Sequence, residues 1–410
     1  MRTGLAMLFA ITTTINSTSR LAVSGFHLGA QRSRSATASA SVKSSKLAAT
    51  TFFQDFPKTL QQAFSSMSAG KDSKYYTVGI TGASGLVGTA LRNELGQRET
   101  LNGKPIRIVK LSRGEAPEKK EVLSDYFAET TLVYNPKGSV AQDVIDPEAA
   151  AQMDAIVHLA GENVATGLGP LGFLGLRPWT DEKKAEILNS RTIPTKALSK
   201  VVAASTTSKT FLVASGVGAY GNNFIGEDLA AVDESMDIST TNGFLAEVSR
   251  QSEAASEEAK TGLNRVVNMR FGVVLSKKGG ALGKLYPIFL VGGGGNVGSG
   301  NQYFSFISAR DHARAIVHTL ETPSLQGPVN FSTPQPCTNA EFTKALGKVI
   351  NRPTILPLPG FAVSLLFGEM GQEMLLGGVR AAPSKLLKSG FEFSHPTVEQ
   401  ALQSAMEENI

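Results

Sequence analysis

The segment Thr81-Gly82-Ala83-Ser84-Gly85-Leu86-Val87-Gly88 constrains the fold of this chain more than any other stretch. It follows Tyr76–Thr81, which alternates, is rich in β-branched residues and reads as a strand. It precedes Leu86, Ala90, Leu91 and Leu95 at helical spacing. Between a strand and a helix these glycines have separate tasks: Gly82 permits the tight turn, Gly85 lets the backbone approach a bound group, and Gly88 lets helix and strand pack closely. Such a turn aims backbone N–H groups from a helix N-terminus at one point, which is what a pyrophosphate requires. The spacing therefore predicts a dinucleotide along Gly82, Ala83, Ser84, Gly85, Leu86, Val87 and Gly88.

The remaining pattern agrees with that start. Ile106–Leu111 reads as a second strand, and Ala155–Leu159 is a near-continuous apolar run, as expected for a strand covered on both faces of a parallel sheet. Thr180 is placed to cap a helix that Pro194 should kink or restart. Phe211–Ser215 and Arg265–Leu275 read as strands, with a helix from Gly243 to about Lys260 between them. This alternation predicts an α/β fold with a doubly wound parallel sheet of Rossmann type. Beyond Leu275 the chain turns glycine-dense, then helical. A capping box at Thr338 and Glu341 opens a helix that Pro353 ends, and apolar segments follow at Phe361–Leu366 and Met370–Leu376. The expected organisation is a leader over 1–54, a linker or short helix over 55–74, a cofactor-binding domain over 75–275, and a smaller, mainly helical substrate-side subdomain over 276–410.

The end of the second strand bears on which dinucleotide binds. NAD sites place a carboxylate there for the ribose 2′-hydroxyl, whereas NADP sites place an arginine near the 2′-phosphate. Leu111-Ser112-Arg113-Gly114 offers Ser112 and Arg113, with no acid before Glu115. The expectation is NADP(H), with NAD(H) as the alternative.

The net charge of +5 invites a nucleic-acid reading, but its distribution opposes one. Arg2, Arg20, Arg32, Arg34, Lys43 and Lys46 lie in residues 1–54, where there is no acid, so the remainder is close to neutral. No uninterrupted apolar stretch is long enough to span a bilayer. The single cysteine, Cys337, excludes an intrachain disulfide and argues against a cysteine-rich metal site; no metal is expected. Residues 1–54, rich in Ser, Thr, Ala and Arg, have a short apolar run at Gly4–Ile11, then small residues before Phe26, then a second basic, hydroxylated stretch. That layout resembles the bipartite leaders of plastid-targeted proteins in algae with secondary plastids. A plain mitochondrial or chloroplast transit peptide is the alternative.

Longer motifs carry a more specific resemblance. Val157-His158-Leu159-Ala160-Gly161-Glu162-Asn163, Trp179-Thr180 with Ser190-Arg191, Gly243-Phe244-Leu245-Ala246, Met269–Leu275 and Thr338–Phe342 resemble the atypical "epimerase family proteins" of the short-chain dehydrogenase/reductase superfamily. The resemblance runs from about Tyr75 to the C-terminus. It implies that Leu159, Ala160 and Gly161, with Glu162 beside them, line the ribose and nicotinamide side of the cofactor.

The chemistry carries over less simply. Hydride-transferring members of the superfamily use a tyrosine with a lysine four residues on, the lysine lowering the tyrosine pKa. None of the seven tyrosines here has a lysine at that spacing, and the corresponding helix offers Phe244 with Val248 or Leu245 with Ser249. Candidates for the missing acid/base are Ser215, one residue off the substrate-polarising serine position at Gly216, together with Tyr220 and Glu247. Glu162, Asn163, Arg191 and Arg250 are polar groups within possible reach of a pocket mouth, while His158 and Trp179 read as core residues. The expected function is an NADP(H)-dependent oxidoreductase or epimerase-like enzyme on an unknown small molecule. The alternative is a catalytically silent NADPH-binding sensor or assembly factor.

Overall fold

The computed structural model describes residues 74–114, 121–122, 127–165, 178–222 and 230–407. The expected leader, the helix expected between residues 55 and 73, and Glu115 lie outside the described residues.

The first half of the chain runs β1 (Tyr76–Thr81), α1 (Leu86–Gly96), β2 (Ile106–Ser112), β3 (Glu121–Val122), β4 (Phe127–Val133), α2 (Ala141–Val144), α3 (Pro147–Gln152), β5 (Ala155–His158), α4 (Asp181–Ala203) and β6 (Thr210–Gly216). It continues with α5 (Phe244–Ala255), β7 (Arg265–Phe271), β8 (Val273–Leu275), α6 (Gly280–Leu290), β9 (Tyr303–Phe304), β10 (Phe306–Ser308), α7 (Ala309–Glu321) and β11 (Gly327–Phe331). The remaining elements are β12 (Cys337–Thr338), α8 (Asn339–Ile350), α9 (Gly360–Gly371), α10 (Ser384–Lys388) and α11 (Val398–Glu407).

The main sheet has the order β11-β7-β6-β5-β1-β2-β4-β3, parallel except where β3 runs against β4. Its last strand, β11, comes from beyond residue 275 and pairs with β7. From β1 the chain winds outward through β2 and β4, then returns to β5 on the other side of β1. The crevice at that reversal is where such sheets bind ligands.

Pleating explains the continuous apolar strands. Val78, Ile80, Val157 and Leu212 point to one face and pack with Leu91, Leu95, Ile316 and Leu320 of α1 and α7. Ile156, Phe211 and Val213 point to the other and meet Leu198, Val201 and Val202 of α4. In the central strands β1 and β5 both faces are covered, so almost no position is left for water and the period-2 alternation disappears, whereas it persists in β4 near the sheet edge.

Two segments differ from their local pattern for tertiary reasons. Helix α4 does not restart at Pro194 but runs on from Asp181 to Ala203 as one helix. Proline removes one ladder bond, but Pro194 and the turns after it are buried against the β5–β6 face, and that packing holds the helix together. Arg265–Leu275 is two strands, not one. At Gly272 the chain leaves β11 for β10, and the lack of a Cβ permits the close approach: one there would sit 2.9 Å from the Ser305 carbonyl oxygen. Val273 N–H donates to that same oxygen.

In the C-terminal part, the capping box at Thr338 and Glu341 opens α8, which closes at Asn351 in a left-handed conformation, ahead of Pro353. Helix α9 bends at Gly368 (φ 55°) and passes into a π-helical turn, Gln372–Leu376. Cys337 is buried, and burial pushes its thiol up to about 12, so it is an inert packing residue. Among the described residues no helix is long and apolar enough to cross a membrane.

Candidate active site

The glycine turn has the geometry its spacing predicts. Gly82 adopts φ 65°, and a Cβ on it would meet the Ala160 backbone nitrogen at 2.9 Å, so the turn lies directly against the end of β5. At Gly88 a Cβ would come within 2.3 Å of the Gly82 carbonyl oxygen. Gly85 is the N-cap of α1; it supplies no side-chain cap, and no acid occupies the first turn. The first-turn N–H groups therefore face outward with the positive end of the helix dipole, a cradle suited to an anion.

Thr81 locks this cradle to β5. Its Oγ1 accepts from the N–H groups of Leu159 (3.1 Å) and Ala160 (3.2 Å). Its own proton then goes to His158 Nδ1 at 2.6 Å, which requires an imidazole unprotonated at that nitrogen. Burial, reinforced by the nearby Arg191 charge, lowers the His158 pKa to about 4 and keeps the ring neutral. His158 Nε2 is buried without a protein partner. The histidine is thus a strut behind Leu159 and Ala160.

Ser112 ends β2, and its Oγ accepts from the Gly114 N–H at 3.3 Å. Arg113 is exposed there and borders a cavity of about 400 Å³ with Tyr134, Asn135 and Asp146. Tyr134, a wall residue that local sequence reading missed, has a buried phenol oxygen without a protein partner.

A second cavity, of about 300 Å³, lies beyond the ends of β6 and β7. Ser215–Gly218, Arg191, Leu245, Val248, Ser249, Phe271, Phe304 and Glu373 all contribute to its wall. The segment after β5 runs between it and the glycine turn: Gly82 lies against Leu159 and Ala160, and a Cβ on the next residue, Gly161, would lie 3.2 Å from Arg191 Cζ. Helix α5 presents Leu245 and Ser249 together with Val248, while Phe244 turns away onto Trp179 with ring centroids 4.9 Å apart. Trp179 Nε1 donates to the Val164 carbonyl at 2.8 Å, a packing role.

The three acid/base candidates stand in different places. Ser215 reaches the cavity, but its hydroxyl donates to Glu253 Oε1 at 2.8 Å. Glu253 in turn grips Arg270 through two bonds of 2.9 Å, and Arg270 lies over the Tyr220 ring at 4.9 Å. Burial alone would lower the Arg270 pKa; pairing with Glu253 outweighs it and raises it. Tyr220 is buried away from the cavity wall, with its OH donating to Asn330 Oδ1 at 2.8 Å and its pKa raised by burial. Glu247 sits on the outer side of α5 with Gln251 and Arg250; those hydrogen bonds lower its pKa. Arg250 also holds the Ile238 and Thr241 carbonyls. Glu162 pairs with Lys183 at 2.5 Å, and Asn163 Oδ1 accepts from the Ala165 N–H at 2.9 Å.

Glu373 is a second residue that sequence reasoning missed. From the π-helical turn its carboxylate accepts from the N–H groups of Phe244 (2.5 Å) and Leu245 (2.9 Å), capping α5 across 129 residues. Nothing local signals this, because the cap lies in a distant segment.

A glycine turn at the reversal of a parallel sheet, with a cavity beside it, defines an NAD(P)-binding protein of the Rossmann class. Comparison places it more narrowly. Residues 78–331 match the NAD dependent epimerase/dehydratase family, and residues 358–405 match a domain of unknown function. An epimerase family protein of Mycobacterium bovis is 41% identical over 325 residues, 79% of this chain and 96% of that protein. A chloroplastic SDR39U1 homologue of Arabidopsis thaliana is 33% identical, over 83% of this chain and 89% of its own. The crystal structure of human SDR39U1 with NADPH superposes with a TM-score of 0.65 at 30% identity, covering 81% of this chain and 100% of that one. The chain belongs to the NAD-dependent epimerase/dehydratase family, among the epimerase family proteins.

Proposed function

We propose that the chain binds NADP(H) and acts as an atypical oxidoreductase or epimerase-like enzyme on a small molecule, using an acid/base other than a tyrosine–lysine pair. The observation that carries this reading is the segment after β5, which lies against the glycine turn at Gly82 and, at Gly161, against Arg191 of the 300 Å³ cavity. NADPH, when bound, supplies a hydride. The chain's own part is to hold the pyrophosphate on the Gly85–Gly88 backbone, to receive the 2′-phosphate at Ser112 and Arg113, and to wall off water with Leu245, Phe271, Phe304 and Met374. Arg113 favours NADP(H) over NAD(H), and the human relative solved with NADPH supports that preference. Residues 276–410 serve as the substrate side in this reading, contributing Phe304, Glu373 and Met374.

Titrating NADPH and NADH against the protein and Arg113→Ala tests the cofactor. NADPH affinity should fall about tenfold or more with NADH unaffected; unchanged NADPH affinity removes the argument. A panel of carbonyl compounds and sugar nucleotides then tests turnover, and tight binding with no NADPH consumption counts against an enzyme.

That negative outcome would favour a silent, NADPH-sensing assembly factor, and one observation supports it. The Ser215, Ser249 and Ser305 hydroxyls donate to Glu253, the Leu245 carbonyl and the Val379 carbonyl, while Glu373 caps α5, so these polar groups already have structural work. Partner capture that changes with NADPH distinguishes it; capture indifferent to cofactor refutes it.

The chloroplastic relative and the composition of residues 1–54 support import into a plastid through a cleaved leader. N-terminal sequencing of the mature protein decides this, and an intact Met1 removes it.

A further inference from the structure

Arg191 is the one cation among the described residues of the 300 Å³ cavity wall. Among the described residues only Nη1 of its three guanidinium nitrogens is engaged, donating to the Ile187 carbonyl at 3.0 Å and, more weakly, to Ser190 Oγ at 3.4 Å. Among the described residues no carboxylate lies within ion-pair distance of it. Glu162, the acid whose charge it feels, is held by Lys183 at 2.5 Å. The acid in the same wall, Glu373, has its two oxygens on the Phe244 and Leu245 N–H groups. Gly161 leaves room for the Arg191 side chain beside its backbone, since a Cβ there would lie 3.2 Å from Cζ.

A half-buried guanidinium with two free nitrogens, facing a wall of Leu245, Val248, Phe271, Phe304, Met374 and Val379, is incompletely solvated until an anion meets it. Its planar fork fits a carboxylate at both oxygens. The volume is at the small end for ligand pockets and the rest of the wall is mostly apolar, which suits a compact acid better than a sugar nucleotide.

We infer that Arg191 anchors the substrate, and that this substrate is a small, largely apolar carboxylic acid. The inference rests on the reading of this cavity as the substrate pocket.

Ligand-observed NMR on the NADPH-loaded protein tests it, with benzoate against benzamide and hexanoate against hexanamide as probes. Each acid should bind about tenfold or more tightly than its amide. Arg191→Met should abolish that preference and Arg191→Lys retain part of it, while NADPH affinity, read by fluorescence, stays within about twofold. Three results overturn the assignment: no acid–amide discrimination, a preference that survives Arg191→Met, or NADPH affinity that falls in step, which would give Arg191 to the cofactor. Should the methionine variant not fold, an undiminished preference in Arg191→Lys overturns it equally. Repeating the titration without cofactor separates the two readings. Acid preference in a protein that never consumes NADPH keeps the anchor and removes the oxidoreductase.

Discussion

The Thr81 hydroxyl and the His158 ring meet 2.6 Å apart across the ends of β1 and β5, joining the strand that enters the glycine turn to the strand that leads into Leu159 and Ala160. Thr81→Val keeps the β-branched shape and removes this bond and the two accepted from Leu159 and Ala160. The expected loss is about 1–2 kcal/mol in urea unfolding, with weaker NADPH binding, because the Ala160 N–H and His158 Nδ1 lose their partner while the Leu159 N–H keeps the Thr81 carbonyl. A loss below about 0.5 kcal/mol would show that packing alone sets this junction.

Acid should weaken the fold through two histidines. Burial holds the His158 pKa at about 4 and the His312 pKa at about 3, against an ordinary 6.5. As pH falls below 6.5 the unfolded chain takes up protons that the folded chain refuses. The stability is therefore complete above pH 6.5 and is lost as pH falls toward 4 and 3. His312 packs edge-on against Phe271 at 4.2 Å, and neither ring nitrogen has a partner. His312→Leu should thus be neutral or stabilising at pH 7 and should flatten the acid limb of thermal unfolding. A wild-type melting temperature constant from pH 7 to about 4 contradicts this account.

The glycines of the turn should differ in tolerance. Gly88→Ala drives a methyl to 2.3 Å from the Gly82 oxygen and 2.7 Å from Ala83 Cα, both backbone, so α1 must retreat from the cradle. NADPH affinity should drop at least about tenfold by calorimetry, with about 1–3 kcal/mol of destabilisation. Gly85→Ala meets only the Gly82 oxygen at 3.3 Å and should be milder. Equal effects would show that the glycines do not act by close approach.

Glu373→Ala removes the long-range cap of α5 and should cost about 1–2 kcal/mol in urea unfolding. Glu373→Gln retains one good acceptor and should lose less. If both variants unfold like the wild type, the cap contributes nothing and Glu373 is free for other work in the cavity.

Local signals carried a good part of this. The β1–turn–α1 unit, the Thr180 cap on Lys183 N–H and the Thr338–Glu341 box each depend on residues a few positions apart, and each has the structure its pattern implies. The register of α5 did not show locally, since Phe244 and Leu245 are both apolar; only Trp179 on one side and the cavity on the other distinguish them.

Sequence by itself determined the glycine turn, because glycine at Gly82 and Gly88 is a steric demand of a single strand–turn–helix unit. Tertiary structure alone decided the rest. It carried α4 through Pro194, brought Glu373 to the start of α5, tied Ser215 to the Glu253–Arg270 pair and left Arg191 facing a cavity. Each of these is a contact between segments far apart in the chain, whose energies come from burial and pairing that no local window contains.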